Sequence, residues 1–233
     1  MTRKPSTIAI DGPAASGKST LAISLADYLN YLYFDTGVMY RGVTLVALKG
    51  GSSLPPEERC IELAQKTRID VRPPSKQDGR LYDILIDGND QTLEIRLPAV
   101  DANVSVVSAY PGVRKALTKQ QRRIALQGNV VMVGRDIGTV VLPEADIKIY
   151  LDASVEERAR RRHSECMVRG DKVAYEEVLQ SMRQRDAIDS NRQVAPMRPA
   201  DDAIIISSNG KSAEEVFAQT KAVLEEREIL TAK

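Results

Sequence analysis

Cysteine, histidine and net charge are all scarce in this chain. Its 233 residues include two cysteines and one histidine, and 33 Lys and Arg stand against 32 Asp and Glu. Cys60 and Cys166 are too few for a disulfide scaffold and read as buried thiols in a reducing cytosol. They lack the spacing of a zinc site, and His163 alone gives a His/Cys metal cluster nothing to build on. Any Ser-His-Asp or Cys-His catalytic system would have to use that one histidine. A net charge of +1 argues against a protein that coats nucleic acid or an anionic membrane through its overall charge, while leaving room for a local basic site. No stretch approaches the ~18 apolar residues of a membrane span. The opening residues, MTRKPSTIAIDG, run straight into a strand and a glycine loop. That leaves no room for a secretory signal, so a cytoplasmic location is expected. There is no internal repeat and no low-complexity tract.

What is present is the composition of an ordinary folded protein, 42% hydrophobic and 28% charged. Its length suits one domain with a small insertion or lid. Residues 7–10 form a short apolar run that ends at Asp11-Gly12 and predicts a buried central strand. A helical period over 18–30 follows, with Leu21, Leu25, Ala26 and Leu29 on one face. Further strands are predicted at 31–34, 130–133, 147–151 and 203–206. Helices are predicted at 39–48, 57–66, 98–108, from Pro111, from the N-cap Ser154, at 175–188 and at 212–228. Between them, residues 69–71, 82–86 and the region of Thr92-Leu93 alternate like strands, with Asp78-Gly79 and Asp87-Gly88 as turns. This predicts a small antiparallel insertion. Residues 166–174, with Gly170 and no strong period, are expected to form a mobile loop.

Alternation of strand and helix implies a mostly parallel sheet covered on both faces, with ligands beyond the carboxyl ends of the strands. Asp11-Gly12, Asp35-Thr36-Gly37 and Gly134-Arg135-Asp136 each follow a predicted strand directly. All three are expected to converge on one rim.

The run Gly12-Pro13-Ala14-Ala15-Ser16-Gly17-Lys18-Ser19 fits G-x-x-x-x-G-K-[ST], with Thr20 next in the chain. Glycines let the backbone curl until several N–H groups point at one anion, and the helix that starts near Lys18 adds its positive end. Lys18 can reach the outer phosphates of a nucleoside triphosphate, and the Ser19 hydroxyl can ligate Mg²⁺. The preceding strand and following helix are the context this motif requires. The motif does not say what receives the phosphate. No Asn-Lys-x-Asp guanine reader occurs. Arg41, in Asp35-Thr36-Gly37-Val38-Met39-Tyr40-Arg41, is placed to clamp a phosphate near the rim.

Taken with IAIDGPAASGKST and FDTGVMYR, the stretches GRDIGTVVLPEADIKIYLDAS and RQRDAIDSNRQVAPMRPADDA make the sequence resemble bacterial cytidylate kinases. The resemblance runs from about Ile8 to past Ile206, and the blocks occur in family order. It implies transfer of the terminal phosphoryl group of ATP to CMP or dCMP with Mg²⁺. It also implies an α/β P-loop NTPase three-layer fold with a parallel central sheet. Residues 1–67 and 97–233 would be the core, residues 68–96 a small antiparallel insert that binds the nucleoside monophosphate, and about 158–174 a short lid. By the family pattern, Arg41, Arg135 and Arg192 hold the acceptor phosphate. Thr36 stands where family members often carry serine. Asp136, Arg114 and Ser105 match the base-reading positions, and Arg185 with Asp189 match the pair that contacts the sugar. The chemistry agrees for cytosine, since Asp136 can accept its amino hydrogens and Arg114 can donate to N3 and O2. Arg185 and Asp189 share a helical face, as an ordinary ion pair would.

The run of arginines at 158 and 160–162 can be a solvated face, and an RNA patch would want interleaved aromatics. In kinases of this shape, lid arginines close over ATP, and Arg158 and Arg162 are favoured here, beside Lys18, as catalytic residues. Arginines outnumber lysines 21 to 12, which suits fixed phosphate recognition. The expected partners are ATP, CMP and dCMP, with no nucleic acid or membrane, acting on a monomer. The rivals are a kinase for UMP, AMP or shikimate, and a P-loop regulator or nucleic-acid-dependent ATPase that forms ADP without CMP.

Overall fold

A computed structural model describes residues 5–51, 53–192 and 194–226. The fold is α/β, with a parallel central sheet and a separate small antiparallel sheet. The chain divides into two compact units, Met1–Tyr31 with Val131–Lys233, and Leu32–Val130.

The first unit opens with β1 (Thr7–Asp11) and α1 (Lys18–Leu29). It resumes within β6 (Val130–Val133) and continues through β7 (Ile147–Asp152), α6 (Val155–Arg169), α7 (Tyr175–Asn191), β8 (Ile204–Ser207) and α8 (Ala213–Glu226). The strands lie in the order β6-β1-β7-β8. β1 pairs in parallel with β7, and β7 with β8, in a register that sets Asp11 opposite Tyr150 and Asp152 opposite Ser207. Ile8, Ile10, Met132, Ile149 and Leu151 are fully or almost fully buried, as the continuous apolar runs require of strands covered on both faces. The last described residue of α8 is Glu226, and the end of the helix expected at 212–228 lies outside the described residues.

The second unit holds β2 (Leu32–Asp35), α2 (Gly37–Leu48), α3 (Glu57–Lys66), β3 (Ile69–Arg72), β4 (Asp83–Ile86), β5 (Asn89–Asp90), α4 (Pro98–Ala109) and α5 (Pro111–Ala125). β3, β4 and β5 form the antiparallel sheet. Thr92-Leu93 is not a strand. The third strand is Asn89–Asp90, and the ladder stops because Asp90 turns to other partners. Its carboxylate accepts from the Thr92 hydroxyl at 2.6 Å and from Arg80 at 2.8 Å, while Thr92 Oγ1 accepts from the Ile84 amide. The Thr92 and Arg80 bonds hold the Asp90 carboxyl well below the usual carboxylate range.

Residues 166–169 are helical rather than looped. α6 runs to Arg169 and ends at Gly170, whose φ of 85° lets its N–H reach the Cys166 and Met167 carbonyls. Val168 is 89% exposed, and such an apolar residue on the wet face hides the helical period from a sequence reading. Ser154 caps α6 as its sequence suggests, accepting from the Glu157 amide at 3.3 Å. Cys60 and Cys166 are free and buried, and the His163 ring meets the Val173 carbonyl and the edge of Tyr175. No described helix is long and apolar enough to cross a membrane.

Candidate active site

In the first unit the glycine-rich loop leaves β1 at Asp11 and enters α1 at Lys18. Gly12 has φ 143°, and a Cβ there would sit 2.2 Å from the Leu151 carbonyl oxygen, so no other residue fits without moving β7. Ser16 and Lys18 are buried, while Ser19 and Thr20 are exposed at the start of the helix. The Lys18 ammonium turns back over the loop, donating to the Pro13 carbonyl and the Ser16 hydroxyl. Beside the loop lies a cavity of about 340 Å³ whose wall includes Ser19, Thr20, Leu151, Arg161 and Ser208.

The α6 arginines separate by burial. Arg158 is 4% exposed. Its Nε donates to the Ala153 carbonyl at 2.9 Å and its Nη1 to the loop carbonyl of Ala14 at 3.3 Å, and the guanidinium also grips Asp186. Arg162 is exposed and pairs with Glu165 at 3.0 Å. Sequence reasoning passed over Arg161, which reaches the loop. Its Nη1 donates to the Ser16 carbonyl at 3.4 Å and to the Ser208 hydroxyl at 3.0 Å, and Ser208 Oγ bonds the same Ser16 carbonyl at 2.8 Å. The available signal was its place three residues after Arg158, on the same side of the helix.

Four of the expected acceptor residues meet in this unit. Arg135 Nε donates to Asp189 Oδ2 at 3.0 Å. Arg192 lies 3.5 Å from Asp189 Oδ1 and 3.9 Å from Asp136 Oδ1, and its Nε is held by the Ala195 carbonyl. Asp189 therefore spends its carboxylate on two arginines. The Arg185 guanidinium on α7 is held below the ordinary arginine range by the protein mass around it and by the like charges of Arg135 and Arg162, against the pull of Asp189. Guanidinium groups gathered so closely form a site that attracts an anion.

A second residue missed from sequence is Asp11. It is buried, and both of its oxygens accept backbone amides, Oδ1 from Ile137 at 2.8 Å and Oδ2 from Gly138 at 2.7 Å. Burial, more than the neighbouring Asp136, pushes its carboxyl up to about 6 against the opposing pull of those amides and of Lys18. Its only signal in the sequence was a carboxylate ending an apolar strand.

In the second unit, Thr36 is the buried N-cap of α2, and Arg41 lies on that helix. Arg41 Nη1 meets Asp101 at 2.5 Å and the Ile95 carbonyl at 3.3 Å, in the wall of a cavity of about 300 Å³ that Asp35, Tyr82 and Arg96 also line. Arg114 is buried, with its guanidinium carbon 5.5 Å from the centre of the Tyr40 ring and Nη1 on the Ser108 carbonyl. Ser105 is exposed on α4, and its carbonyl accepts from the Ser108 hydroxyl.

Comparison with known proteins gives the family. A family model for cytidylate kinase matches residues 8–226. The chain is 52% identical over 213 residues to a cytidylate kinase of Herpetosiphon aurantiacus, covering 91% of each chain. It is 48% identical over 217 residues to one of Carboxydothermus hydrogenoformans, covering 93% of this chain and 96% of the relative. Among solved structures, shikimate kinase from Acinetobacter baumannii shares the fold at a TM-score of 0.50 and 16% identity, over 98% of this chain and 97% of that one. With the family pattern matched from β1 to α8, the chain belongs to the cytidylate kinase family.

Proposed function

We propose that the chain transfers the γ-phosphoryl group of ATP to CMP or dCMP, yielding ADP and CDP or dCDP in pyrimidine nucleotide metabolism. The observation that carries this reading is the joining of Arg135, Asp136, Asp189 and Arg192 in the unit that also holds the phosphate loop. Family membership supports the same assignment.

On this reading the loop Gly12–Thr20 cradles the outer phosphates of ATP, with Lys18 released from Pro13 and Ser16 to neutralise them. Arg135 and Arg192 hold the acceptor phosphate, whose oxygen is already anionic near neutral pH and needs no base. Asp136 accepts from the cytosine amino group, and Arg185 with Asp189 contacts the sugar. The family pattern assigns Thr36, Arg41, Ser105 and Arg114 of the second unit to the same substrate. Arg158 and Arg162 are assigned to charge stabilisation during transfer. For that role both would exchange Asp186 and Glu165 for phosphate oxygens.

Mg²⁺, when bound, would supply charge neutralisation. The residue to hold it is Ser19, whose side chain is exposed next to Lys18. No group of three or more His, Cys, Asp or Glu able to hold a metal occurs among the described residues, and Mg²⁺ carried mainly by phosphates and water fits that donor set. Buried, free Cys60 and Cys166 support a reducing, cytoplasmic setting. One chain carries residues for both substrates, which supports a monomer.

The test is ADP release from MgATP across a panel of nucleoside monophosphates. ADP formation is expected to require a monophosphate and to be fastest with CMP or dCMP. ADP formed at the same rate without any acceptor would sink the reading.

A further inference from the structure

The Asp11 carboxylate touches no position assigned to a substrate, yet its two bonds end on the stretch that carries two of them. Ile137 and Gly138 follow directly on Arg135 and Asp136 and open a π-helical turn, Ile137–Val141. Within that turn the Val140 and Val141 amides return to the Asp136 carbonyl and the Leu142 amide to that of Ile137. The first amides of such a turn have no partner inside it. Asp11 accepts both of them, one on each oxygen. The Gly134 amide, one residue ahead of Arg135, donates to the Ile10 carbonyl at 3.1 Å. Arg135 and Asp136 are thus pinned on both sides by the last two residues of β1, and the next residue of that strand's chain is Gly12 of the phosphate loop.

Gly138 packs against the same carboxylate. A Cβ on Gly138 would lie 3.4 Å from Asp11 Oδ2 and 3.2 Å from Lys148 Cδ. Nor is the carboxylate there for stability alone, because burial works against its charge. The charged groups facing it are Lys18 from α1 and Asp136 from the turn, and the neutral phenol of Tyr150 lies across the β1–β7 register. The phenol of Tyr150 is pushed up by burial, Asp152 and Asp11. Lys148 turns its ammonium away to Asp202.

We infer that Asp11 is a positioning residue for the acceptor, holding the Arg135–Asp136 turn in register with the phosphate loop through the Ile137 and Gly138 amides. This rests on the reading of Arg135 and Asp136 as CMP contacts. An asparagine at position 11 has one acceptor oxygen for two amides, and its NH₂ would face the second N–H. The effect belongs on acceptor recognition, where both the phosphate contact and the base contact are displaced.

The experiment measures KM for CMP and for ATP, the ratio of kcat/KM for CMP over UMP, and Tm, in wild type, Asp11→Asn and Gly138→Ala. The glycine variant sets a methyl against the Lys148 stem and the Asp11 carboxylate, a mild perturbation from the donor side that keeps the test open if Asp11→Asn fails to fold. Asp11→Asn is expected to raise KM for CMP at least roughly tenfold, the effect of losing a hydrogen bond to a charged group, and Gly138→Ala to raise it in the same direction by less. The CMP-over-UMP ratio should fall, with KM for ATP within about twofold of wild type. Equal losses on both substrates with a fall in Tm, or no change in either KM, would overturn the positioning role. Failure of the underlying reading looks different, as the wild-type chain itself would then show no CMP-dependent turnover.

Discussion

Arg158 and Asp186 form a two-pronged ion pair, Nη1 to Oδ1 at 3.1 Å and Nη2 to Oδ2 at 2.5 Å, joining α6 to α7. The arginine side chain is 5% exposed and the aspartate 23%. Because Arg158 also holds the Ala14 carbonyl, the pair anchors the phosphate loop to the two helices. Asp186→Ala leaves a buried guanidinium without its counter-charge and is expected to cost about 3 kcal/mol. Thermal denaturation should show the loss together with a higher KM for ATP. Replacing both partners by leucine should recover most of the stability and none of the activity, since the apolar pair removes the buried charge but not the need for it.

The loop's first glycine is a second point of intolerance. Gly12→Ala places a Cβ 2.2 Å from the Leu151 carbonyl oxygen at a φ of 143°. Backbone strain and overpacking act together, so a loss of about 3 kcal/mol is expected along with ATP binding. A thermal melt with and without MgATP checks both. Wild-type Tm should rise with nucleotide, while the variant should start lower and not respond. A variant that melts like wild type would contradict the close approach of Gly12 to β7.

Much of this arrangement was legible in the sequence because it is local. Glycine spacing, the apolar runs and the capping serine each act over a few residues, and the phosphate loop, α1, α3 and β6 stand where their patterns put them. What was not legible depends on packing between distant segments. The bonds from Asp11 to Ile137 and Gly138 span 126 and 127 residues. Arg158 and Arg162 are one turn apart and share a face of α6, so periodicity cannot choose between them. The difference lies in what each turn meets, Ala14 and Asp186 at Arg158 but Glu165 and solvent at Arg162, with Arg161 beside the loop at Ser16. The family pattern gave Arg135, Arg192, Asp136 and Asp189 roles toward a substrate, and it did not show that one aspartate pairs with both arginines.

Asp11 also predicts a pH dependence of stability. Its carboxyl is raised from 3.8 to about 6, so between those values the folded state holds more protons than the unfolded one. Stability from this group therefore falls as pH rises through the window, by about 3 kcal/mol in all. Depressed carboxylates such as Asp70 and Asp90 contribute the opposite slope at lower pH, and whole-protein melts mix the two. The difference between wild type and Asp11→Asn isolates the term. Relative to wild type, the variant should gain stability from pH 4 to pH 7, and a flat difference would contradict the burial cost.

Arg192 and Arg161 offer a separation of the two substrates within one unit. Arg192 sits with Asp189 and Asp136, whereas Arg161 sits with Ser16 and Ser208 beside the loop cavity. On the proposed assignment Arg192→Ala takes a fork from the acceptor phosphate, and it is expected to raise KM for CMP roughly 10- to 100-fold, with KM for ATP nearly unchanged. Arg161→Ala should do the reverse, loosening the Ser16 and Ser208 carbonyls and raising KM for ATP about tenfold. Initial rates varied in each substrate at saturating levels of the other give all four constants. If both variants weakened both substrates equally, the assignment of these two arginines to different phosphates would fail. A clean crossing of the two effects would assign Arg161 to the donor and Arg192 to the acceptor.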